Sequence, residues 1–361
     1  MTTKTGTYTG QWVAGRRKGK GKLECASGDS YEGDFDGDKF HGHGIFKSTA
    51  FNFTYEGEFV DNMRQGQGVL IRNGYTYSGL WESNLPHGIG KETVESQGTY
   101  EGTFFKGRKE GEGVYTSSDG NVIYKGEWRN NLYHGLGKLT MNSSSYFYEG
   151  QFVDGRKEGQ GKEMVNNQVV YEGEWENNLY EGKGVWTGLN EKYIGTFHKG
   201  LRYGNGTYTS NLFTYNGNWY RGRKEGHGMM IIDNGASYDG YWIDDLPNGE
   251  GKFEYTPEVI YSGECLNGKR QGKGTFSTLD FCFVGNWVEG KKNGSGTLTN
   301  VLTASIFEGE WSNDLKNGQG MLNSHEGESK SKWENGKQTK PGIKYNAPEL
   351  PEFPSIETIF F

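Results

Sequence analysis

Cysteine, proline and long apolar runs are scarce in this chain of 361 residues. It has three cysteines, Cys25, Cys265 and Cys282, too few for a disulfide framework, and this indicates a reducing compartment. No run of 18 apolar residues, signal peptide or lipidation motif is found, so we expect a cytoplasmic protein that is neither secreted nor membrane-spanning. The net charge of −7 argues against nucleic acid as a partner, because phosphate binding needs a positive field.

Glycine and aromatic residues, by contrast, are abundant. Sixty residues are glycine, and 15% are Phe, Trp or Tyr. Disordered glycine-rich chains lack the aromatic surface that offsets the entropy of ordering, so this composition predicts a folded protein. A length of 361 residues suggests two or three compact domains only if the chain has no internal repeats.

An aromatic residue recurs every 22 to 24 residues and marks the start of fourteen repeats. Glycine follows two, eleven and thirteen residues later in every repeat, and Trp or Phe follows four residues later in all but one, where Cys265 stands. The fourteen marker residues are Tyr8, Tyr31, Tyr55, Tyr77, Tyr100, Tyr124, Tyr148, Tyr171, Tyr193, Tyr215, Tyr238, Tyr261, Phe283 and Phe307.

This spacing predicts a β-hairpin in each repeat. Residues two apart lie on one face of a strand, so the marker ring, the first glycine and the Trp or Phe share a face. The second strand carries an apolar residue two positions after its last glycine, except at Glu92 and Glu163. The seventh residue after each marker is Gly, Asn or Asp, which predicts a left-handed turn. We infer that the rings cover glycines of adjoining strands, and that hairpins are stable only when stacked.

One repeat shows the whole pattern: Tyr171-Glu172-Gly173-Glu174-Trp175, followed by Asn178, Gly182 and Gly184. This string resembles the MORN repeat (membrane occupation and recognition nexus), and similar strings run from Tyr8 to about Leu322. The resemblance implies an all-β protein of the repeat-only type, an elongated solenoid of about 14 stacked antiparallel β-hairpins that forms a single-layer twisted rod.

The repeats also divide the chain. We interpret residues 1–322 as the hairpin array, 323–340 as a degenerate repeat or cap, and 341–361 as a proline-containing extended tail. The tail ends in three apolar residues, Ile359, Phe360 and Phe361, which we expect to dock on the array, on a sister chain or on a partner.

The sequence shows no arrangement of residues that indicates catalysis. Paired glycines such as Gly42 and Gly44 belong to the repeat, and none leads into a helix as a nucleotide loop requires. The histidines His41, His87 and His134 occupy one repeat position and are interpreted as turn residues rather than metal ligands. Zinc bound by Cys265 and Cys282, together with a histidine of a second chain at a dimer contact, is a weaker alternative. We expect no enzyme activity and no catalytic, cofactor-binding or metal-binding residue.

Six hairpin tips carry two adjacent basic residues, which we regard as candidate sites for acidic partners or anionic lipid headgroups. In three tips a glutamate follows, Glu110, Glu158 or Glu225, and weakens the positive field. The six pairs are Arg16 and Arg17, Arg108 and Lys109, Arg156 and Lys157, Arg223 and Lys224, Lys269 and Arg270, and Lys291 and Lys292.

A second candidate surface follows from an alternation between successive repeats. From Phe59 to Trp219 the second aromatic is alternately Phe and Trp, and tips of the Asn-Leu kind alternate with Gly-Arg-Lys tips. Leu85, Leu132 and Leu179 therefore recur every second hairpin, and we predict a stripe of apolar residues that faces a partner.

These features favour a non-catalytic scaffold or spacer that binds other proteins. The family resemblance implies a cytoskeletal setting, such as a cilium or flagellum with its axoneme and radial spokes, or the cell cortex. Open edge strands favour a homodimer. The alternative is a peripheral membrane adaptor that binds acidic phospholipids or phosphoinositides through the basic tips.

Overall fold

The computed structural model describes residues 2–3 and 6–339, and these residues form an all-β fold, as the sequence predicts. The chain divides into two compact units, residues 1–180 and 181–361, with the boundary inside a strand. Within each unit, strands pair antiparallel with their neighbours in sequence. The predicted tail, with Ile359, Phe360 and Phe361, lies outside the described residues.

The described residues of the first unit form hairpins and one short 3₁₀ helix, Asn142–Ser144. Its strands are β1 Thr2–Thr3, β2 Gly6–Val13, β3 Arg16–Cys25, β4 Ser30–Asp36, β5 Lys39–Ser48, β6 Phe53–Val60, β7 Met63–Arg72, β8 Tyr75–Glu82, β9 Leu85–Val94, β10 Gly98–Phe105, β11 Arg108–Ser117, β12 Val122–Arg129, β13 Leu132–Met141, β14 Tyr146–Val153, β15 Arg156–Val165 and β16 Gln168–Glu176.

The second unit continues the pattern from β17, in which the boundary falls. Its strands are β17 Leu179–Thr187, β18 Lys192–His198, β19 Leu201–Thr209, β20 Phe213–Tyr220, β21 Arg223–Ile232, β22 Ser237–Ile243, β23 Leu246–Thr256, β24 Val259–Leu266, β25 Lys269–Ser277, β26 Phe281–Val288, β27 Lys291–Asn300, β28 Ser305–Ser312, β29 Leu315–Ser324, β30 Gly327–Glu334 and β31 Lys337–Gln338. No helix in the described part of the chain is long and apolar enough to span a bilayer.

Each hairpin turns through two residues with positive φ. In the sixth repeat these are Asn130 (φ 51°) and Asn131 (φ 68°), the geometry of a type I′ turn, whose twist matches that of the strands it joins. The seventh residue after the marker has positive φ in all fourteen repeats, which confirms the predicted left-handed position.

Marker rings cover glycines, as inferred from the sequence. A Cβ atom placed on Gly137 would lie 2.4 Å from the Tyr124 hydroxyl, and one on Gly126 would lie 2.9 Å from it. The hydroxyl donates a hydrogen bond to the backbone oxygen of Glu127 at 2.8 Å, where a β-bulge interrupts the ladder between Gly126 and Trp128. The other eleven marker tyrosines make the same bond to the third residue along.

The second aromatic of a repeat joins that repeat to the preceding one. Trp128 packs edge-on against Tyr124 of its own repeat, at 5.3 Å between ring centroids, and against Tyr100 of the preceding repeat at 4.9 Å. Its indole nitrogen also donates a hydrogen bond to the backbone oxygen of Gly113. Trp81, Trp175, Trp219, Trp242, Trp287 and Trp311 bond to the equivalent glycine. Each repeat therefore completes the core of its neighbour.

A fifteenth, reduced hairpin follows the fourteenth repeat. In β30, Ser329 and Ser331 stand where the other repeats have the marker ring and its glycine, while Trp333 still packs against Phe307 at 5.7 Å. These strands lie within the segment interpreted as a cap, and the domain boundaries themselves stay a prediction.

Candidate functional site

The face opposite the rings carries an open groove above the glycines. Residues that alternate with the marker rings point to this face, so its walls are polar while its floor is bare glycine backbone. In the second unit the groove has a volume of about 1120 Å³, and its floor includes Gly240, Gly251, Gly263 and Gly274. A smaller groove of about 570 Å³ occupies the same face of the first unit.

The walls of the larger groove are more acidic than basic. Four carboxylates, Asp239, Glu250, Glu308 and Glu310, line it together with two lysines, Lys252 and Lys273. The other wall residues include His227, Tyr241, Ser262, Thr275, Val284, Asn286, Ser295 and Thr297. Such a surface combines hydrogen-bonding groups, a little apolar area and a net negative field, and it suits an extended or helical segment of another protein.

The basic tips do not present twelve free cations. The second residue of each pair turns away from the tip and lies over aromatic rings of its own repeat and the next. Lys157 Nζ, for example, lies 4.8 Å from the ring centroid of Tyr148 and 4.4 Å from that of Trp175. Burial lowers the pKa of this lysine. Arg17, Lys109, Lys224, Arg270 and Lys292 occupy the same position. Their placement makes them packing groups.

The first residue of most pairs contacts the next hairpin turn. Arg108 donates to Asn130 Oδ1 at 2.8 Å, and Arg156 donates to Asn177 Oδ1 at 2.9 Å. Arg223 and Lys269 form ion pairs with carboxylates of the next turn, Asp244 and Glu289. Arg16 and Lys291 lie at the other two tips, and both are exposed.

The glutamates that follow three of the pairs also have a structural role. Glu110 Oε2 accepts a hydrogen bond from the backbone nitrogen of Asn130, the first residue of the next turn. At eight junctions between repeats, the residue ten positions after the marker accepts a hydrogen bond from the backbone nitrogen of the first residue in the next turn. The eight residues are Gln65, Glu110, His134, Glu158, Glu181, Glu225, Asn248 and Gln271. The recurrence of Glu, Gln, Asn and His at one position was a signal for this contact that the sequence analysis missed.

The predicted leucine stripe is exposed but interrupted. Leu85, Leu132 and Leu179 are each the first residue of a second strand and are close to half exposed. Arg108 and Arg156 occupy the same position in the repeats between them. The surface therefore alternates between apolar and cationic groups, and its binding role stays a prediction.

The two glutamates that break the apolar pattern are paired. Glu163 lies 3.5 Å from Lys157 and accepts a hydrogen bond from the Tyr180 hydroxyl at 2.5 Å. Glu92 lies 2.7 Å from Lys109 of the next repeat. Because each carboxylate neutralises a half-buried lysine, Glu replaces an apolar residue here without leaving a charge uncompensated.

The histidines and cysteines are dispersed. His134 Nδ1 accepts from the backbone nitrogen of Asp154, and His87 lies 3.0 Å from Glu82. All three cysteines are free, and burial raises the pKa of the Cys265 thiol to about 12. Among the residues that the structure describes, no three His, Cys, Asp or Glu side chains are placed to share a metal ion.

Apolar side chains also project from the loops between repeats of the second unit, which the sequence analysis passed over. The most exposed are Leu189, Leu212, Leu279 and Leu302. Length variation in these loops concealed them, because they have no fixed distance from the marker residues.

Comparison with known proteins agrees with the repeat pattern. Alsin from human and from mouse is 32% identical over 103 residues, which is 27% of this chain and 6% of alsin. MORN repeat-containing protein 3 from Xenopus laevis is 35% identical over 72 residues, 18% of this chain and 30% of that protein. The chain thus matches less than a third of the length of these relatives.

The family match is much more extensive. MORN repeats are known in proteins that bind other proteins or associate with membranes, and the family and relatives point to a repeat protein without an enzymatic role. The sequence model of the MORN repeat matches residues 8–30, 31–49, 55–74, 77–96, 100–122, 124–146, 148–165, 171–190, 193–211, 215–237, 238–257, 261–278, 283–300 and 307–327. Since these segments cover well over half of the sequence and begin at the fourteen marker residues, the chain belongs to the MORN-repeat family.

Proposed function

We propose that this protein is a non-catalytic scaffold that holds other proteins along its repeats. The observation that supports the proposal most directly is the groove of about 1120 Å³, whose glycine floor admits close approach of another chain. A surface of this kind repeats along the array, so it offers several binding positions at regular spacing.

The groove chemistry also suits one class of partner segment. Four carboxylates against two lysines favour a segment with net positive charge. Wall residues such as Ser262, Thr275 and Asn286 can bond the backbone of such a segment, and Val284 offers an apolar contact.

The binding face is tested by one substitution and a matched control. Val284 in the groove and Ile243 at a hairpin tip are β-branched and each 52% exposed in the same unit, so Arg at either site preserves the fold. We expect V284R to weaken recovery of partner proteins by about tenfold, the effect of losing about 1.4 kcal/mol, while I243R does not. Quantitative affinity purification from the native cell measures this. Equal recovery with both variants would remove the groove from the proposal.

We further propose a cytoskeletal setting, in a cilium or flagellum with its axoneme or radial spokes, or at the cell cortex. Proximity labelling in the native cell, combined with light microscopy, identifies the neighbouring proteins and tests this. Enrichment of unrelated metabolic enzymes, with diffuse fluorescence, would contradict it. Dimerisation through open strand edges belongs to the same proposal and is measured by analytical ultracentrifugation.

A peripheral membrane adaptor is the second candidate, and the tip cations Arg108 and Arg156 favour it. Their contacts with Asn130 and Asn177 are neutral, so both keep their positive charge for a lipid phosphate. Charge reversal to Glu at both sites should abolish co-sedimentation with vesicles that contain phosphatidylinositol phosphates. Reversal of Lys138 and Lys162, which lie away from the tips, is the control. This candidate would be rejected if the unaltered chain did not sediment with the vesicles, or if both charge-reversal variants lost vesicle binding equally.

A further inference from the structure

Two consecutive loops of the second unit expose large apolar side chains. Leu279, between β25 and β26, is 71% exposed, and Leu302, between β27 and β28, is 76% exposed. The loops adjoin, because the backbone nitrogen of Val301 donates to the backbone oxygen of Asp280 at 2.8 Å. We call Leu279, Val301, Leu302 and Ile306 the loop-edge patch.

The repeat itself does not require this patch. Five of the corresponding loops of the first unit present polar residues, as at Asn73, Ser96, Asp119, Ser143 and Asn166, whereas the loop between β5 and β6 exposes a single apolar ring, Phe51. The leucines contribute little to the aromatic core at such exposure. An apolar surface that folding does not need is typical of a docking site.

One segment of the chain is long enough to reach the loop-edge patch. Strand β31 follows the turn at Asn335 and Gly336 and runs antiparallel to β30, toward the end of the sheet where the inter-repeat loops lie. At about 4.8 Å per strand, the loop with Leu302 is about 17 Å from β31, and the loop with Leu279 is about 26 Å away. Residues 340–361 can span about 70 Å when extended.

The residues of that segment also match the apolar character of the loop-edge patch. Pro341, Pro348, Pro351 and Pro354 in this segment have no backbone N–H to donate to a strand ladder. They precede Ile359-Phe360-Phe361, whose apolar surface matches the patch. We propose that these three residues dock intramolecularly on the loop-edge patch and cover Leu279 and Leu302.

Photo-crosslinking of the full-length chain tests this. A benzophenone amino acid in place of Phe360 should crosslink to peptides that contain Leu279 or Leu302. In a mixture of ¹⁵N-labelled and unlabelled chains, these crosslinks should join residues of the same chain. Crosslinks to other segments only, crosslinks between chains, or none at all would overturn the proposal.

A pair of double variants adds an independent readout. L279S/L302S removes the two most exposed residues of the patch, whereas L189S/L212S removes two loop leucines of the same unit that are at least 72% exposed. We expect hydrogen exchange at residues 356–361 to be at least tenfold slower than in an unfolded peptide of the same sequence, both in the unaltered chain and in the control. In L279S/L302S we expect no such slowing. Fast exchange in the unaltered chain, or identical exchange in both variants, would show that the patch does not hold this segment.

Discussion

The second strand of each hairpin contains two glycines that serve different purposes. Gly135 has φ of +58°, a left-handed conformation that side chains rarely adopt. Gly137, two residues later, has an ordinary conformation but lies under the ring of Tyr124. One glycine is therefore required by backbone geometry and the other by the space that a ring occupies.

Replacement of Gly137 by Ala is expected to destabilise the first unit. The new Cβ atom would lie 2.4 Å from the Tyr124 hydroxyl and 2.6 Å from the ring carbons Cε2 and Cζ, so the buried ring must move. Overpacking of this kind costs about 1 to 3 kcal/mol. Denaturant unfolding followed by tryptophan fluorescence measures the change.

Gly120 provides the control for that substitution. It has φ of +68°, and a Cβ atom there would meet no atom within 4 Å. Asn tolerates this conformation, so Gly120→Asn should change stability by less than about 0.5 kcal/mol. Equal losses for Gly137→Ala and Gly120→Asn would contradict the account of ring packing.

Adjacent hairpins are joined at their turns by side chains as well as by rings. Asn131 Oδ1 accepts a hydrogen bond from the backbone nitrogen of Lys109 in the preceding repeat, at 2.8 Å. Asp38, Asn62, Asn84, Asn178, Asp245 and Asp314 make the equivalent bond. Where this residue is glycine, as at Gly107, the preceding repeat can hold Pro86, which has no N–H to donate.

The variant Asn131→Gly isolates this hydrogen bond. Glycine adopts the left-handed turn without strain, so the expected loss of about 0.5 to 1.5 kcal/mol reflects the missing acceptor for Lys109. Gly107→Asn is the converse test. It should give no gain in stability, because Pro86 has no backbone N–H to donate to the new side-chain oxygen. Thermal unfolding monitored by circular dichroism compares both. Stabilisation by Gly107→Asn would show that the side-chain oxygen acts on another group.

The hairpins were predictable from sequence because spacing fixes which residues share a strand face. The turn at Asn131 and the glycine beneath Tyr124 follow from that rule alone. The contacts of Lys157 could not be predicted from this rule. The side chain lies over Trp175 of the next repeat, and spacing within one repeat does not reveal contacts between repeats. Reading Arg156 and Lys157 as one basic pair overlooked that adjacent strand residues point to opposite faces.

At the scale of the whole molecule, the repetition of buried tyrosines makes stability depend on pH. Burial raises the pKa of eleven marker tyrosines, among them Tyr55, Tyr77 and Tyr215, above their ordinary value of 10. Burial lowers the pKa of Lys224 and Lys316 to about 8. The two groups therefore affect alkaline stability in opposite directions.

We expect stability to rise slightly between pH 8 and 10 and to fall steeply above pH 10. Between about pH 8 and pH 10.5 the unfolded chain binds more protons at Lys224 and Lys316 than the folded chain does, so a higher pH favours the folded state. Above pH 10 the unfolded chain releases tyrosine protons that the folded chain retains, and eleven marker tyrosines reinforce one another. Melting temperatures across this range measure the profile. Ionisation of all 23 tyrosines near pH 10, seen by absorbance at 295 nm in the folded chain, would contradict it.

The bond from seven tryptophans back to a glycine of the preceding repeat has a consequence for how such a protein changes in evolution. Seven junctions use the same indole donor and glycine acceptor, as at Trp128 with Gly113 and Trp242 with Gly228, and junctions with Phe keep the ring contact, as at Phe104 with Tyr77. A duplicated or deleted repeat recreates an equivalent junction at the cut, and alternation of Leu and Arg at the tips is kept when repeats are gained or lost in twos. Lineages can therefore adjust the number of binding positions by recombination without inventing new contacts.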